Sequence, residues 1–113
     1  MRRGELYRVA HPSARDPKRS RVFCVASRQV LIDSKYSTVV CAPVYTAYDG
    51  LATQAPIGTE DGMKHECAVH SDNLVSLQKS ALTNFVATLS SEKTAALDRA
   101  LAVALDLPHA PEG

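Results

Sequence analysis

The sequence predicts a mainly β protein, a small barrel of short strands capped by one C-terminal α-helix. Three observations lead there. Short apolar runs separated by turn-forming residues fill most of the 113 positions. The run from Arg21 to Ser27 is apolar on both faces, which marks a central strand covered on both sides, as in a small closed barrel. After Leu89 the alternation gives way to Leu97, Leu101, Ala104 and Leu105, spaced as i, i+4, i+7 and i+8 along one face of a helix.

The elements follow in order. Residues 5–10 read as a strand opening after Gly4. Residues 11–20 hold Pro12, Pro17 and a cluster of charges, and read as a loop. A second strand spans 21–27, and the polar stretch 28–36 has room for a short helical turn. The Val-rich run 37–44 is a third strand. Pro43 cannot donate a ladder hydrogen bond, so this strand is expected at an edge or bent at that point. Residues 45–64 contain Gly50, Pro56, Gly58 and Gly62 and read as a long loop with a weak strand near 52–57. Residues 66–71 and 74–77 are two short strands or one bent one, and 82–89 is the last. Ser90 is the expected N-cap of the helix, Glu92 suits its dipole, and Pro108 is expected to stop it. Residues 109–113 read as a frayed tail.

The formal net charge of +1 hides an asymmetry. Residues 1–35 carry nine basic against three acidic groups, net +6, and the remainder carries four against nine, net −5. A basic front end attracts polyanions such as nucleic acid, and it is equally what a set of solvated loop charges looks like. Cys24, Cys41 and Cys67 lie inside apolar runs, and an odd count without close pairs makes a poor disulfide framework; buried free thiols in a reducing cytoplasm are expected. Met1-Arg2-Arg3 leads straight into Gly and Glu, so no secretory leader is expected, and no run is long enough to cross a membrane.

Common enzyme signatures are absent: no phosphate-binding glycine loop, no Gly-x-Ser-x-Gly and no Cys-x-x-Cys. His65, Cys67 and His70 resemble a metal set, but on a strand the first two face away from the third, so no metal or cofactor is expected. One reaction needs neither. RNA is cut when its own 2′-hydroxyl attacks the adjacent phosphate, provided that one group removes a proton, another supplies one, and a third stabilises charge on phosphorus. Arg21, opening a buried strand, suits the third role because its planar fork matches phosphate oxygens; a strand-end arginine that snorkels or pairs with a carboxylate looks the same. His70 and Asp72, two apart on one strand face and roughly 6.5–7 Å from each other, would both reach one phosphodiester. Equally, Asp72 opens an Asx turn with Asn73. Thr46, just after the third strand, offers a hydroxyl.

Together these residues resemble the MazF/PemK family of toxin endoribonucleases over nearly the whole chain, from about Arg3 to Leu107. Arg3-Gly4-Glu5-Leu6-Tyr7 is similar to the family's Arg-Gly-Glu/Asp-Ile-Trp/Tyr opening, and Arg21 through Ser27 to its Arg-Pro-x-x-Val-Val-Ser strand. Val39 to Thr46 resembles the strand ending Pro-x-Thr-Ser/Thr, and Asp72 through Leu82 the Asp-Gln-Ile-Arg segment and its continuation. Val22 stands at the proline of the second motif, and Tyr45 at the strict threonine position with Thr46 one residue later. Asn73 and Val75 stand at the Gln and Arg, and His70 where some members have arginine.

The resemblance implies one toxin domain over 1–113, an SH3-like β-barrel of the CcdB/PemK kind, paired as a homodimer. It implies a metal-independent endoribonuclease cutting single-stranded RNA to a 2′,3′-cyclic phosphate and a 5′-hydroxyl, neutralised by a small acidic antitoxin. It assigns charge stabilisation to Arg21, general base to Asp72, general acid to His70 or an arginine, and phosphate orientation to Thr46, with Arg15, Lys18, Arg19, Tyr45 and Asn73 contacting substrate. Two other readings fit the same barrel: a CcdB-like poison of DNA gyrase, and a catalytically silent module that binds nucleic acid or a partner.

Overall fold

At the centre of the molecule lie two strands apolar on both faces, and the rest of the sheet forms around them. In the computed structural model, residues 1–10 and 20–108 are described; the expected loop and tail, at 11–19 and 109–113, lie outside them. Strands β1 (Glu5–Ala10), β2 (Ser20–Val25) and β3 (Thr38–Tyr45) pair antiparallel, with Leu6 opposite Cys24 and Cys24 opposite Ala42. Between β2 and β3 the polar stretch forms a single helical turn, α1 (Gln29–Ile32), that buries Ile32. Then come β4 (Gln54–Ile57), β5 (Cys67–His70), β6 (Val75–Gln78) and β7 (Asn84–Thr88). The strand order is β4-β5-β3-β2-β1-β7, with β6 also on β3. The sheet curls into a half-barrel with β4 and β7 at its two ends, so the expected barrel shape is present without full closure.

Pro43 does not put β3 at an edge. One side of β3 pairs with β2, with Pro43 opposite Phe23. On the other side it pairs first with β6, up to Cys41 opposite Val75, and then with β5, from Val44 opposite Val69. Pro43 stands where the partner changes, so the donor it lacks falls in the gap between ladders.

Successive residues of the central strands feed two cores. Leu6, Cys24 and Ala42 face the helix-side cluster with Leu97 and Ala100, while Tyr7, Val25 and Cys41 face the other with Ile32, Val39 and Leu82. All three cysteines are buried and free.

The helix α2 (Ser91–Ala104) starts where the sequence places it: the Ser90 hydroxyl accepts from the Lys93 backbone N–H at 3.2 Å. Ser90→Ala should therefore cost about 1 kcal/mol, read as a lower chemical-denaturation midpoint with unchanged slope. Its stop differs from expectation. Leu107 N–H reaches Ala102 O at 2.7 Å and Asp106 N–H reaches Val103 O at 3.2 Å. Asp106 holds a positive φ of 54°, and this left-handed closing turn ends the helix ahead of Pro108. The buried face is Leu97, Ala100 and Ala102, whereas Leu105 is exposed.

Strands β5 and β6 are separate, joined by a 3-10 turn at Ser71–Asn73. Asp72 thus lies in a turn and not on the strand face of His70. Ser, Asp and Asn in a row compete for the backbone with their own side chains, which favours a turn over a continued strand.

Candidate active site

The open end of the half-barrel holds a cleft of about 450 Å³, to which β1, β2, the end of β3 and the segment between β4 and β5 all contribute. Its polar wall carries Arg8, Arg21, Tyr45, Thr46, Lys64 and His65, over an apolar floor that includes Val22, Val44 and Val86. No carboxylate is among the described lining residues, so the wall is cationic.

Arg21 reaches the cleft because β2 begins there, at the rim. Its guanidinium donates to Val44 O at 3.3 Å and lies 4.1 Å above the Tyr45 ring. Stacking on an aromatic face fixes the plane of the fork and leaves its remaining donors to the cleft. Tyr45, the last residue of β3, meets the His70 ring edge-on, 4.8 Å between centroids. His70 Nε2 is 2.9 Å from Ala47 O. A carbonyl only accepts, so Nε2 carries the hydrogen in this contact. Arg21, Tyr45 and His70 form one continuous column, brought together from three strands far apart in sequence.

Thr46 follows at the rim, exposed, and both Tyr45 and Thr46 line the cleft. His70, Asp72 and Asn73 are not among the described lining residues, and the Asp72 carboxylate accepts the Thr53 hydroxyl at 2.6 Å. Arg15, Lys18 and Arg19 lie outside the described residues.

The sequence reading missed the second wall, residues 62–65. A 3-10 turn at Thr59–Asp61 precedes it, and Asp61, itself buried, accepts from Gly58 N–H at 2.9 Å and pairs with Lys93 of α2 at 3.6 Å. Burial alone would lower the Lys93 ammonium, but the Asp61 charge together with the Glu60 hydrogen bond and charge outweighs it and holds the group above the usual lysine range. Gly62 adopts φ +88°, and a Cβ there would stand 2.7 Å from the Ala87 methyl, so only glycine lets the loop lie against β7. Met63 packs into the helix-side core. Lys64 and His65 are therefore exposed side chains on a braced backbone.

Cys67, beside this loop, has its thiol pushed up by burial and by the Glu66 and Asp61 charges, which keeps it protonated near neutral pH. Among the described residues no group of three His, Cys, Asp or Glu side chains is placed to hold a metal, and no helix is long and apolar enough to cross a membrane.

Comparison with known proteins agrees with this architecture. No curated protein sequence matches the chain. Among solved structures, the chain is similar to the Mycobacterium tuberculosis toxin MazF-mt6, with TM-score 0.79 and 23% identity over 93% of this chain and 99% of that one. It is also similar to a mycobacterial endoribonuclease solved with its cognate antitoxin, with TM-score 0.80 and 22% identity over 96% and 97%. A Deinococcus radiodurans MazE–MazF structure matches with TM-score 0.72 and 17% identity over 94% and 95%. At these identities the structures establish the shared fold. The family model for PemK-like, MazF-like toxins of type II toxin–antitoxin systems matches residues 2–105. With nearly its whole length matched in sequence and the fold in agreement, the chain belongs to the PemK-like, MazF-like toxin family.

Proposed function

We propose that this toxin is a metal-independent endoribonuclease that cuts single-stranded RNA by 2′-hydroxyl attack. The observation carrying the proposal is the Arg21 guanidinium, stacked on Tyr45 at the mouth of a cationic cleft whose described lining has no competing carboxylate. Arg21 binds the scissile phosphate and stabilises its developing charge, and the Thr46 hydroxyl orients it. His70, the acid the resemblance assigns, stands behind the Tyr45 ring and outside the described cleft lining, so the leaving oxygen takes its proton from water. Asp72, the base the resemblance assigns, stands outside the described cleft lining, with one carboxylate oxygen accepting the Thr53 hydroxyl. Tyr45 offers a face to a base, while Arg15, Lys18, Arg19 and Asn73 contact the flanking strand.

The mycobacterial and Deinococcus complexes support a cognate antitoxin as partner. An acidic segment of that partner suits the cleft for the reason RNA does, since both are polyanions. Pairing into a homodimer is supported by the family and by the exposed apolar Val103, Leu105 and Leu107 around the end of α2. The three free thiols favour a cytoplasmic setting.

The test is incubation with single-stranded RNA of randomised sequence in excess EDTA, with both product ends identified. Cleavage should persist undiminished and leave 2′,3′-cyclic phosphate and 5′-hydroxyl ends. Loss of cutting in EDTA, or inhibition of gyrase supercoiling without RNA cleavage, would overturn the reading.

A further inference from the structure

Cleavage at a phosphate held by Arg21 needs a proton acceptor beside it, and the cleft restricts the choice. Arg8, Arg21 and Lys64 are cations and accept nothing. Tyr45 is a phenol, protonated near neutral pH as a residue type, and Ser20 and Thr46 are hydroxyls. The Cys67 thiol is held protonated by burial and two neighbouring carboxylates. The carboxylate assigned as base from sequence, Asp72, lines no part of the cleft and is bound to Thr53. One described lining residue remains, His65, an imidazole on a backbone braced by the Asp61–Lys93 pair, by Gly62 against β7 and by Met63 in the core.

We infer that His65 is the general base that takes the 2′-hydroxyl proton at the phosphate bound by Arg21, and this rests on the nuclease reading above. In the step, the 2′-oxygen forms its bond to phosphorus and its proton passes to the free ring nitrogen of His65. The P–O5′ bond breaks, and the leaving oxygen takes a proton from water in the open cleft. The His65 imidazolium then returns its proton to solvent, so no metal or external reactant is consumed. Among the described residues, the charged and titratable groups that line the cleft with His65 are Arg8 from β1, Arg21 from β2, Tyr45 from β3, Lys64 from its own loop and Cys67 from β5. Glu66, next to it in the chain, is outside the described lining, with its carboxylate against Gly58.

The mechanism predicts an acid limb in the pH–rate profile, because a protonated His65 cannot take the 2′-hydroxyl proton. The experiment uses an oligonucleotide containing a site mapped with the wild type, and a copy with a 2′-deoxynucleotide at the cut position for binding. His65→Gln should lower the rate by about a hundredfold or more and erase the acid limb, while binding of the deoxy copy stays within about twofold. Imidazole in the buffer should partly restore His65→Gly. If His65→Gln keeps both rate and acid limb, or loses rate and binding equally with that limb intact, the inference is wrong. If the wild type cuts no RNA, the proposed function falls and this base falls with it. If the wild type cuts and only Arg21→Ala is dead, the function stands and the base does not.

Discussion

Arg21→Ala should abolish RNA cutting, with kcat/KM lower by about a thousandfold or more, while the protein stays folded. The magnitude follows from removing a charged, preorganised donor set from a phosphate that gains charge in the transition state. Stability should hardly change, because among the described residues the side chain gives the fold a 3.3 Å bond to Val44 O and the stack on Tyr45. Arg21→Lys tests geometry apart from charge. An ammonium keeps the cation but loses the planar fork and most of the aromatic stacking, so it should rescue binding at low salt far better than it rescues rate. Single-turnover rates with the mapped oligonucleotide, together with a thermal melt of each variant, decide the matter. An Arg21→Ala protein that cuts like the wild type would remove the chemistry from this cleft altogether.

Leu97→Ala should produce the largest loss of stability, about 2–5 kcal/mol. Leu97 is fully buried, on the α2 face that lies against the curled sheet among Leu6, Cys24 and Val69. Its helix neighbour in that cluster, one turn on, is Ala100, which brings little bulk to refill the void. For a chain of this length the expected fall in melting temperature is on the order of 10 °C or more. Val30→Ala, on α1 and 70% exposed, is the apolar control and should stay within about 0.5 kcal/mol. Equal effects of the two substitutions would mean that the helix does not dock on Leu97.

Most of the elements were legible because their apolar period survives in the chain. The two-sided apolar run at 21–27 pointed to a central strand, and β2 is central. Ser90 announced the helix start. The misjudged places share a cause, since a local side-chain choice there prevailed over the pattern. Ser71, Asp72 and Asn73 turned a strand into a 3-10 turn and carried Asp72 off the face of His70. Asp106 closed the helix where Pro108 was expected to. Pro43 was read as an edge signal, because no sequence pattern reveals that the strand beside it is replaced by another at that residue.

The candidate site was half legible. Arg21, Tyr45 and Thr46 sit at strand ends and could be picked out one by one, and His70 joins them through the Tyr45 ring. The wall carrying Lys64 and His65 was hidden, because a loop's neighbours depend on which strands its ends join. The one local hint was Gly62, whose positive φ and close approach to Ala87 are visible only in three dimensions.

Cys24 and Cys41 give the molecule an internal clock. Burial, reinforced at Cys24 by the nearby Cys41 and eased by Arg3, pushes its thiol to about 12, and burial pushes Cys41 to about 12 as well. Thiolate is the form that alkylating reagents attack, so the native protein offers them almost none at these two positions. Labelling there has to wait for the chain to open. The rate at which a maleimide or iodoacetamide marks this pair thus times excursions from the native state, and an antitoxin that grips only the folded toxin would lengthen the interval between them.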